Sequence, residues 1–436
     1  MRPWDLMHYL FASCVATALL AGCGASQPPI AAPGAISQSP GVAPTYNIRQ
    51  RHASGSSYKV VYNFTGGSDG ASPVAGLIDV NGTLYGTTSQ GGGSLCKGSG
   101  CGTVFSVTPS GQERVLHAFT GGVDGTDSRA ALIAVKGTLY GTTFYGGDAK
   151  HCGKDVGCGT VFSITPSGSE NVLHTFTGPP DGAWPASGLI DVNGTLYGTT
   201  TEGGNTGGCR IGHPKIGCGS VYSITPSGSE NVLFRLVGPD TGSYAHASLL
   251  NVDGTMYSAS QYGGGGHGQG SVYSVTTSGS GQLVYHFTYK EDDGEEATAA
   301  LIRVNGLLYG TLADGGPHFD GTVYSVTTTG TVKRLYAFAG RPDGAHPVAS
   351  LLDVHGTLYG TTGAGGNNCS SNTSGGCGTV FSITTGGTER VLHAFGSSSS
   401  DGSHPDSNLI NVNGTLYGTT SDGGTHGWGT VYAITP

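Results

Sequence analysis

The chain has 436 residues, of which 80 are glycine and only 11% are charged, and its net charge is −9. Glycine without a three-residue period excludes collagen, and 21 tyrosines and 13 phenylalanines argue against a wholly disordered chain. The acidic balance disfavours a nucleic-acid-binding protein and a basic membrane-surface protein. Low charge and abundant glycine favour short strands joined by tight turns.

Residues 1–23 combine an early Arg2 with an apolar run over residues 10–20 and a Leu-Ala-Gly-Cys ending at Cys23. The run is too short to span a bilayer, which takes about 20 residues, so it indicates the core of a signal peptide. The ending resembles the bacterial lipoprotein signal, which implies that Cys23 is diacylated. We therefore expect an exported lipoprotein of the bacterial cell envelope, periplasmic or at the cell surface, that contacts the membrane through this anchor. Ordinary cleavage is the alternative.

Residues 24–57 are rich in Pro, Ala, Ser and Gly and lack hydrophobic periodicity, which predicts a disordered tether. Residues 58–436 repeat one unit seven times. The marker of the unit is Gly-Thr-Leu-Tyr-Gly-Thr-Thr or a close variant, and it recurs every 50 to 60 residues. Its tyrosines are Tyr85, Tyr140, Tyr197, Tyr257, Tyr309, Tyr359 and Tyr417.

Each unit predicts four strands, which we name A to D. In the first unit they cover residues 77–80, 83–88, 102–108 and 114–119, and strands B and C are rich in β-branched and aromatic residues. Asn81-Gly82 separates strands A and B, and most units have an Asn-Gly or Asp-Gly pair there. Such pairs tolerate the positive φ of a two-residue hairpin turn, which fixes the register of the strands.

Seven antiparallel units of four strands are typical of an all-β fold, the seven-bladed β-propeller. Small residues directly precede strand A, as expected where the innermost strands crowd around one axis. The last unit ends with strand C at residues 429–436, whereas residues 58–64 match strand D and follow no strands A to C. We therefore expect the N-terminal strand to complete the last blade, which removes an open sheet edge.

The unit Leu-Ile-x-Val-Asn-Gly-Thr-Leu-Tyr-Gly-Thr-Thr, followed later by Gly-Thr-Val-Phe-Ser-Ile-Thr-Pro, resembles the GloVer-type tandem repeat of exported bacterial proteins. The resemblance covers about residues 58–436 and implies no established activity. A weaker similarity to kelch propellers rests on the strand-B tyrosine. The kelch Trp is missing, and the Gly-Gly pair falls later here, for example at Gly91-Gly92.

Apart from Cys14 and Cys23, the cysteines occur as pairs within single B–C loops. The pairs are Cys96 and Cys101, Cys152 and Cys158, Cys209 and Cys218, and Cys369 and Cys377. These four loops have 13 to 18 residues, whereas the three loops without cysteine have 8 or 9. We predict local disulfides, because they offset the entropy of long loops and an exported protein permits them. Metal binding is the alternative, but the spacings do not match a zinc knuckle.

Two polar columns recur from unit to unit. One is an Asp ahead of strand A, for which an Asp-Gly turn is a simpler explanation than a calcium site. Its members are Asp69, Asp124, Asp181, Asp240, Asp293, Asp343 and Asp401. The other, on strand D, mixes His with Tyr and Phe, which favours packing between blades over catalysis. Its members are Tyr62, His117, His174, Phe234, Tyr285, Tyr336 and His393.

The B–C loops and D–A connections share one face of the predicted disc and carry its length variation, so we expect any ligand there. The candidate binding residues on this face are Phe144, Tyr145, Trp184, Tyr244, Tyr262, His267, His318, Phe319, His426 and Trp428. Exposed aromatic side chains stack on sugar rings or anchor a protein partner. Shielding of the glycine-rich loops from water is the alternative.

The sequence contains no nucleophile elbow, phosphate loop, metalloprotease helix motif or dinucleotide fingerprint, and it predicts no catalytic residue, metal or cofactor. We expect a surface binding or scaffolding module whose ligand is glycan, cell-wall material or protein. The alternative is a carbohydrate lyase or hydrolase with its site at the axial funnel, by fold analogy; a purely structural envelope protein is a third. An acid, a base and an Arg facing the axis would favour the enzyme, and a shallow aromatic face would favour binding.

Overall fold

The computed structural model describes residues 56–147, 152–153, 156–204, 209, 217–264, 268–288, 293–367 and 375–436. Every regular element within these ranges is a β-strand, and no helix there is long and apolar enough to cross a membrane. The main sheets are seven antiparallel sheets of four strands; each of the first six repeats supplies one sheet, and the last repeat forms the seventh together with the N-terminal strand. We number these blades in repeat order and keep the strand names A to D.

In blade 1, for which bounds were predicted, no strand end differs from its predicted position by more than one residue. Blades 1 to 3 comprise Ile78–Val80, Thr83–Thr88, Thr103–Val107, Glu113–Ala118; Ile133–Val135, Thr138–Thr143, Thr160–Ile164, Glu170–Thr175; and Ile190–Val192, Thr195–Thr200, Ser220–Ile224, Glu230–Arg235. Blades 4 to 6 comprise Leu250–Val252, Thr255–Ser260, Ser271–Thr276, Gly281–His286; Ile302–Val304, Leu307–Leu312, Thr322–Val326, Val332–Ala337; and Leu352–Val354, Thr357–Thr362, Thr379–Thr384, Glu389–Ala394. Blade 7 comprises Ile410–Val412, Thr415–Thr420, Thr430–Thr435 and the N-terminal strand Ser57–Asn63. Three two-stranded ladders pair Gly182–Ala183 with Glu202–Gly203, Gly344–Ala345 with Ala364–Gly365, and Gly402–Ser403 with Asp422–Gly423.

Packing within the blade explains the repeat marker. Strand B of blade 1 is buried along almost its whole length. A Cβ at the marker glycine Gly86 would lie 2.7 Å from the ring of Phe105 on strand C, so this site has no room for a side chain. Asn81 and Gly82 have φ values of 55° and 81°, which confirms the predicted two-residue hairpin turn.

The hydrophobic core lies between successive blades. Seven buried clusters fill the seven interfaces, and one of them joins Tyr417 and Val431 of blade 7 to Leu77 and Leu84 of blade 1. The A strands of neighbouring blades contact each other in a complete ring, including blade 7 with blade 1. These contacts show a closed seven-bladed β-propeller, as the repeats predicted.

In six of the seven blades, a strand-B threonine forms a hydrogen bond with the following blade. In blade 7, the Thr419 hydroxyl donates a 3.0 Å hydrogen bond to the Ala75 carbonyl of blade 1. The equivalent threonines of blades 1, 2, 3, 5 and 6 donate to the corresponding segment of the following blade. Blade 4 has Ala259 at this position, which has no hydroxyl to donate. The blade 4 to blade 5 interface therefore depends more on its apolar cluster.

The N-terminal strand closes the ring. Ser57–Asn63 runs antiparallel to Thr430–Thr435, with Ser57 opposite Thr435 and Asn63 opposite Thr430. It occupies the strand D position of blade 7. Beyond the strand, the Phe64 N–H donates a 3.1 Å hydrogen bond to the Gly429 carbonyl. The predicted completion of the last blade is confirmed.

Disulfides close the long B–C loops. Cys96–Cys101, Cys152–Cys158 and Cys209–Cys218 are bonded as predicted. Cys377 is also disulfide-bonded, and Cys369, its predicted partner, lies outside the described residues. Disulfides persist in oxidising compartments, so these bonds indicate an exported protein.

The Asp column forms turns, as predicted, and it also contacts the strand-D column. Thr120 donates hydrogen bonds from its backbone N–H and its hydroxyl to Asp124. His117 Nε2 lies 3.2 Å from the same carboxylate, and the His117 ring packs edge-on against Phe119. The other Asp partners on strand D are Tyr62, His174, Tyr285, Tyr336 and His393. The strand-D column therefore packs the blades, and its pairing with the turn adds a polar contact that the sequence did not predict.

A candidate binding site around the propeller axis

The segment entering strand A presents one residue per blade in a strained backbone conformation. These seven residues, six positions before strand A, have φ values from 51° to 62°, in the left-handed region. They are Ser72, Asp127, Trp184, Tyr244, Glu296, His346 and His404, and we call them the rim residues. Left-handed backbone costs an L-residue about 1–2 kcal/mol, and it is a clear outlier for bulky side chains.

Two hydrogen bonds hold each rim residue in place. The Trp184 N–H donates to the Cys158 carbonyl of the preceding blade at 2.8 Å, and the Trp184 carbonyl accepts from the Thr201 N–H of its own blade at 3.1 Å. Both bonds recur in all seven blades, and across the ring closure the Ser72 N–H donates to the Trp428 carbonyl. Strain of this kind persists where the surroundings over-determine it, and it clusters at functional sites.

The second Cys of each pair serves this arrangement. Its carbonyl, from Cys101, Cys158, Cys218 or Cys377, accepts the N–H of the rim residue in the next blade. In the other three blades the acceptor is the carbonyl of Gln269, Asp320 or Trp428. The disulfide of each long B–C loop therefore fixes the carbonyl group that accepts the hydrogen bond from the neighbouring rim residue.

Buried and partly exposed residues alternate from each rim residue into strand A, as at residues 244–250. The position two residues after each rim residue is partly exposed. In blades 2, 4 and 7 it carries Arg129, His246 and Asp406. We call these three the inner residues. Two positions later, a Cβ at Gly76 would lie 3.1 Å from Cβ of Asn408 in the neighbouring blade. The small residues before strand A therefore meet across the blades, as the sequence predicted.

Blades 2 to 4 contribute an aromatic sector of this site. The rings of Tyr145 and Trp184 lie 6.2 Å apart in an edge-on arrangement, and those of Tyr244 and Tyr262 lie 5.6 Å apart. Phe144 is buried beneath Tyr145, with ring centroids 4.7 Å apart. The tyrosines and Trp184 are partly exposed, so the sector offers aromatic surface to a ligand.

Arg129 stands within the aromatic sector but is already paired. Its guanidinium donates two hydrogen bonds to Asp127, at 2.9 and 2.6 Å. The same group lies 4.3 Å from the ring centroid of Phe144, a distance at which a cation is attracted to the ring. Because Asp127 already occupies two donors of the guanidinium, Arg129 is a poor anchor for an anionic ligand.

Carboxylates of neighbouring blades hold the aromatic hydroxyls. Tyr244 donates a hydrogen bond to Glu202, which is fully buried. Tyr262 donates to Glu296 Oε1 at 3.2 Å, and the Gln261 amide donates to Glu296 Oε2 at 3.1 Å. These bonds fix the tyrosine rings and place acceptor oxygens beside aromatic surface.

Blades 5 to 7 contribute a sector of histidines and acids. His346 Nδ1 lies 2.8 Å from Asp314 Oδ1, and this hydrogen bond raises the pKa of His346. His404 Nδ1 lies 3.6 Å from Asp422. The aromatic and the ionisable sectors therefore occupy different arcs of one rim.

Asp406 is the inner residue of this second sector. Burial raises its pKa to about 6, although His404 nearby favours the ionised form. A Cβ at Gly363, the residue after strand B of blade 6, would lie 2.5 Å from Asp406 Oδ1. Glycine at this position therefore leaves room for the carboxyl group.

His246 shows that the inner residues approach each other. Burial lowers its pKa to about 4, and the positive charge of Arg129 adds to this effect. His246 belongs to blade 4 and Arg129 to blade 2, so the charge acts across blade 3, where the small Ala186 occupies the same position. His246 is consequently uncharged near neutral pH.

The structure brings half of the predicted binding residues together at the rim, namely Phe144, Tyr145, Trp184, Tyr244 and Tyr262. Phe319 is 73% exposed on the B–C loop of blade 5, next to His318. Trp428 packs against the blade 7 to blade 1 cluster and covers Gly66, and His426 precedes it on the same loop. His267 lies outside the described residues.

Sequence reasoning missed the ionisable half of the site. Asp127, Glu296, His346, His404 and the inner residues are scattered in sequence, and most of these residue types occur only once at their position in the repeat. The signal that could have identified them was their shared position in the repeat. Aligning the seven segments on the Leu before strand A would have shown a fixed backbone site whose side chain changes class from blade to blade.

A possible metal cluster lies at the outer part of one blade interface. Side-chain atoms of His174, Asp181 and Glu230 lie within 4.8 Å of one another. Around Asp343, the interface of blades 5 and 6 has Tyr336 in place of the His, together with Glu389. Because Tyr replaces a metal-ligating His in an otherwise similar group, we interpret these clusters as polar contacts between blades.

The closed ring of seven four-stranded blades defines the protein as a seven-bladed β-propeller with a strained axial rim. A family model described as the Gloeobacter/Verrucomicrobia repeat matches residues 46–212 and 209–432. The chain belongs to this repeat family, as its repeat unit predicted. No curated protein matches the chain.

The chain is similar to several solved structures at low sequence identity. A gluconolactonase from Xanthomonas campestris has 12% identity and a TM-score of 0.40, with 87% of this chain and 89% of that chain covered. A luciferin-regenerating enzyme has 12% identity and a TM-score of 0.40, with coverages of 88% and 96%. A puromycin hydrolase has 11% identity and a TM-score of 0.45, with coverages of 83% and 52%. At such low similarity these enzymes do not inform the function of this chain.

Proposed function

We propose that this protein is an exported binding module that holds a carbohydrate ligand at its axial rim. One observation carries the proposal. Seven side chains of six residue types project from one backbone position that is strained in every blade and fixed by the same two hydrogen bonds. A purely structural role would favour Gly or Asn at a left-handed position, whereas Trp, Tyr, Glu and His there indicate selection for what the side chains contact.

The chemistry of the rim favours a saccharide. Aromatic rings bind the apolar faces of sugars, and adjacent carboxylates accept hydrogen bonds from hydroxyl groups. Tyr262 beside Glu296 supplies both features where blades 4 and 5 meet, and Tyr244, held by the buried Glu202 of blade 3, adds a second aromatic ring. Cell-wall glycan is the natural source of such a ligand for an envelope protein, and a protein partner is the competing occupant that the binding test distinguishes.

Charge further restricts the ligand. Arg129 lies near the rim and is already paired with Asp127. Six carboxyl groups surround the described rim, those of Asp127, Glu202, Glu296, Asp314, Asp406 and Asp422. Transferring an anionic ligand from water to a site among these carboxylates would be unfavourable. The rim should therefore prefer neutral or amine-bearing saccharides over uronic acids and phosphorylated sugars.

The cellular setting follows from the disulfides and the N-terminal sequence. Three disulfides within the described residues indicate an oxidising compartment. Lipidation at Cys23 would anchor the protein to a membrane, and residues 24–57 would act as the tether. Replacing Cys23 with Ser tests this part separately, because it should release the protein from membranes into the soluble fraction.

A glycan array with the full mature chain tests the binding proposal. We expect binding to neutral chitin oligosaccharides or their deacetylated, amine-bearing forms, and little binding to polygalacturonate. Tyr262→Phe removes one hydroxyl and keeps the ring, and it should weaken binding several-fold. Phe319→Ser, on the exposed blade 5 loop, is the matched control and should bind normally. Loss of binding in the control alone, or no glycan binding by the intact protein, would contradict the proposal.

A second candidate function is carbohydrate cleavage at the same rim. It is favoured by Asp406, whose raised pKa of about 6 suits a general acid, and by the uncharged His246. Incubating the protein with glycans that it binds, and analysing the products, tests this function. Cleavage that Asp406→Asn abolishes while binding persists would establish an enzyme.

A further inference from the structure

In five of the seven blades, the A–B turn contains a hydrogen bond from the turn glycine to the central side chain of strand A. Four of the seven A–B turns are Asn-Gly, at Asn81, Asn193, Asn305 and Asn413. In blade 1, the Gly82 N–H donates to Asp79 Oδ1 at 2.9 Å, where Asp79 is the central residue of strand A. The same bond forms from Gly194 to Asp191 and from Gly414 to Asn411, each at 2.9 Å.

Blade 5 is the exception among the Asn-Gly turns. Its strand-A residue is Arg303, which has no acceptor atom and instead forms an ion pair with Asp253 of blade 4 at 3.1 Å. Within the described part of the chain, no side chain accepts a hydrogen bond from the Gly306 N–H. Asn305 and Gly306 are both exposed to solvent, so water and hydroxide reach this turn.

We propose that Asn305 is a site of spontaneous deamidation in the folded protein. The Gly306 nitrogen loses its proton to hydroxide and attacks Cγ of Asn305, which forms a cyclic succinimide and expels the side-chain nitrogen as ammonia. Water then opens the ring at either carbonyl, and the products are aspartate and isoaspartate. No oxidant or reductant takes part.

The hydrogen bond in the other turns opposes this chemistry for two reasons. It occupies the N–H of the glycine, whose proton must be removed before the nitrogen can attack Cγ. A carboxylate acceptor also disfavours removal of the amide proton, because the resulting nitrogen anion would lie beside another negative charge. Asn81 and Asn193 have Asp acceptors, and Asn413 has the amide oxygen of Asn411.

Modification would alter the ladder of blade 5. The turn joins Val304 and Leu307, which face each other across the A–B hairpin. Isoaspartate adds a backbone carbon to this two-residue turn, and either product adds a negative charge close to the Arg303–Asp253 ion pair. This interface also has Ala259 in place of the threonine that links most blades.

Peptide mapping by mass spectrometry tests the proposal. The folded chain is incubated at mildly alkaline pH, and conversion of each Asn to an acid is followed over time. We expect Asn305 to convert several-fold faster than Asn81, Asn193 and Asn413. Arg303→Asp should slow Asn305 to the rate of the other three, and Asp79→Ala should accelerate Asn81.

Circular dichroism of the incubated samples confirms that the rates belong to folded protein. Arg303→Asp adds the missing acceptor in blade 5, and Asp79→Ala removes the acceptor in blade 1. If Arg303→Asp fails to fold, Asp79→Ala still tests the effect of this hydrogen bond on the deamidation rate. Equal rates at all four asparagines, or no change at Asn81 in folded Asp79→Ala, would overturn the proposal.

Discussion

The backbone N–H of Trp184 donates a 2.8 Å hydrogen bond to the carbonyl oxygen of Cys158, whose side chain is bonded to Cys152. A disulfide in one blade thus positions a rim residue in the next. The same relationship links Cys101 to Asp127, Cys218 to Tyr244 and Cys377 to His404. Loop stability and rim geometry are therefore coupled in four of the seven blades.

This coupling predicts that loss of one disulfide weakens ligand binding. Replacing Cys152 and Cys158 with Ser should cost about 2 kcal/mol of folding free energy, because the unfolded loop gains freedom. Glycan affinity should fall several-fold in the folded variant, since the carbonyl that holds Trp184 is less fixed. Isothermal titration at a temperature well below unfolding measures this, and an unchanged affinity would contradict the coupling.

Backbone strain at the rim predicts a stabilising substitution. Ser72 has φ 51°, and Ser72→Gly should raise the free energy of unfolding by about 0.5–1 kcal/mol. Relief of left-handed strain outweighs the extra entropy that glycine brings to the unfolded chain. Chemical denaturation measures the change. Ser72→Ala, which keeps the strain, is the control and should not stabilise the protein.

Partly buried glutamates between the blades predict a pH dependence of stability. Burial raises the pKa of Glu113 and Glu230 to about 7 and that of Glu389 to about 8, and neighbouring aspartates add to the shift. These values exceed the unfolded pKa of about 4.3. The stabilising contribution is therefore complete below about pH 4 and is lost as the pH rises through 7 to 8.

Thermal unfolding between pH 5 and pH 9 checks this expectation. The melting temperature should decrease as the pH rises, and Glu389→Gln should flatten the decrease because glutamine cannot ionise beside Asp343. A melting temperature that rises across this range, or a Glu389→Gln profile parallel to that of the native protein, would contradict it.

The N-terminal strand should be essential for a closed ring. Deleting residues 56–64 exposes the edge of Thr430–Thr435 and removes Phe64 from the core between blades 7 and 1. We expect a loss of cooperative unfolding and aggregation through the open edge. Deleting residues 24–55 is the control and should leave the melting temperature unchanged. Equal stability of both deletions would refute the closure.

The sequence allowed prediction of the fold because its signals are local and repeated. The marker around Tyr85 set the strands, and the Asn81-Gly82 turn set the register, while unmatched strands at the two ends predicted closure. Phe144 and Tyr145 were predicted as candidate ligand residues because aromatic side chains cluster on the face of the B–C loops, and the structure places both at the rim.

The strained rim could not be predicted in the same way. The left-handed backbone of Trp184 and His346 has no local cause, because it is imposed by carbonyl groups of the preceding blade. The proximity of His246 to Arg129 likewise arises only when blades 2 and 4 face one axis. Such contacts depend on ring closure, which joins residues distant in sequence.

Hydrogen exchange with and without a bound oligosaccharide tests the central claim most directly. If the rim is the binding site, the ligand should protect backbone amides in residues 184–186, 244–246 and 296–298, and leave the A–B turns unaffected. Protection confined to the A–B turns, or to the outer loop around Phe319, would show that the ligand binds elsewhere and would contradict the account.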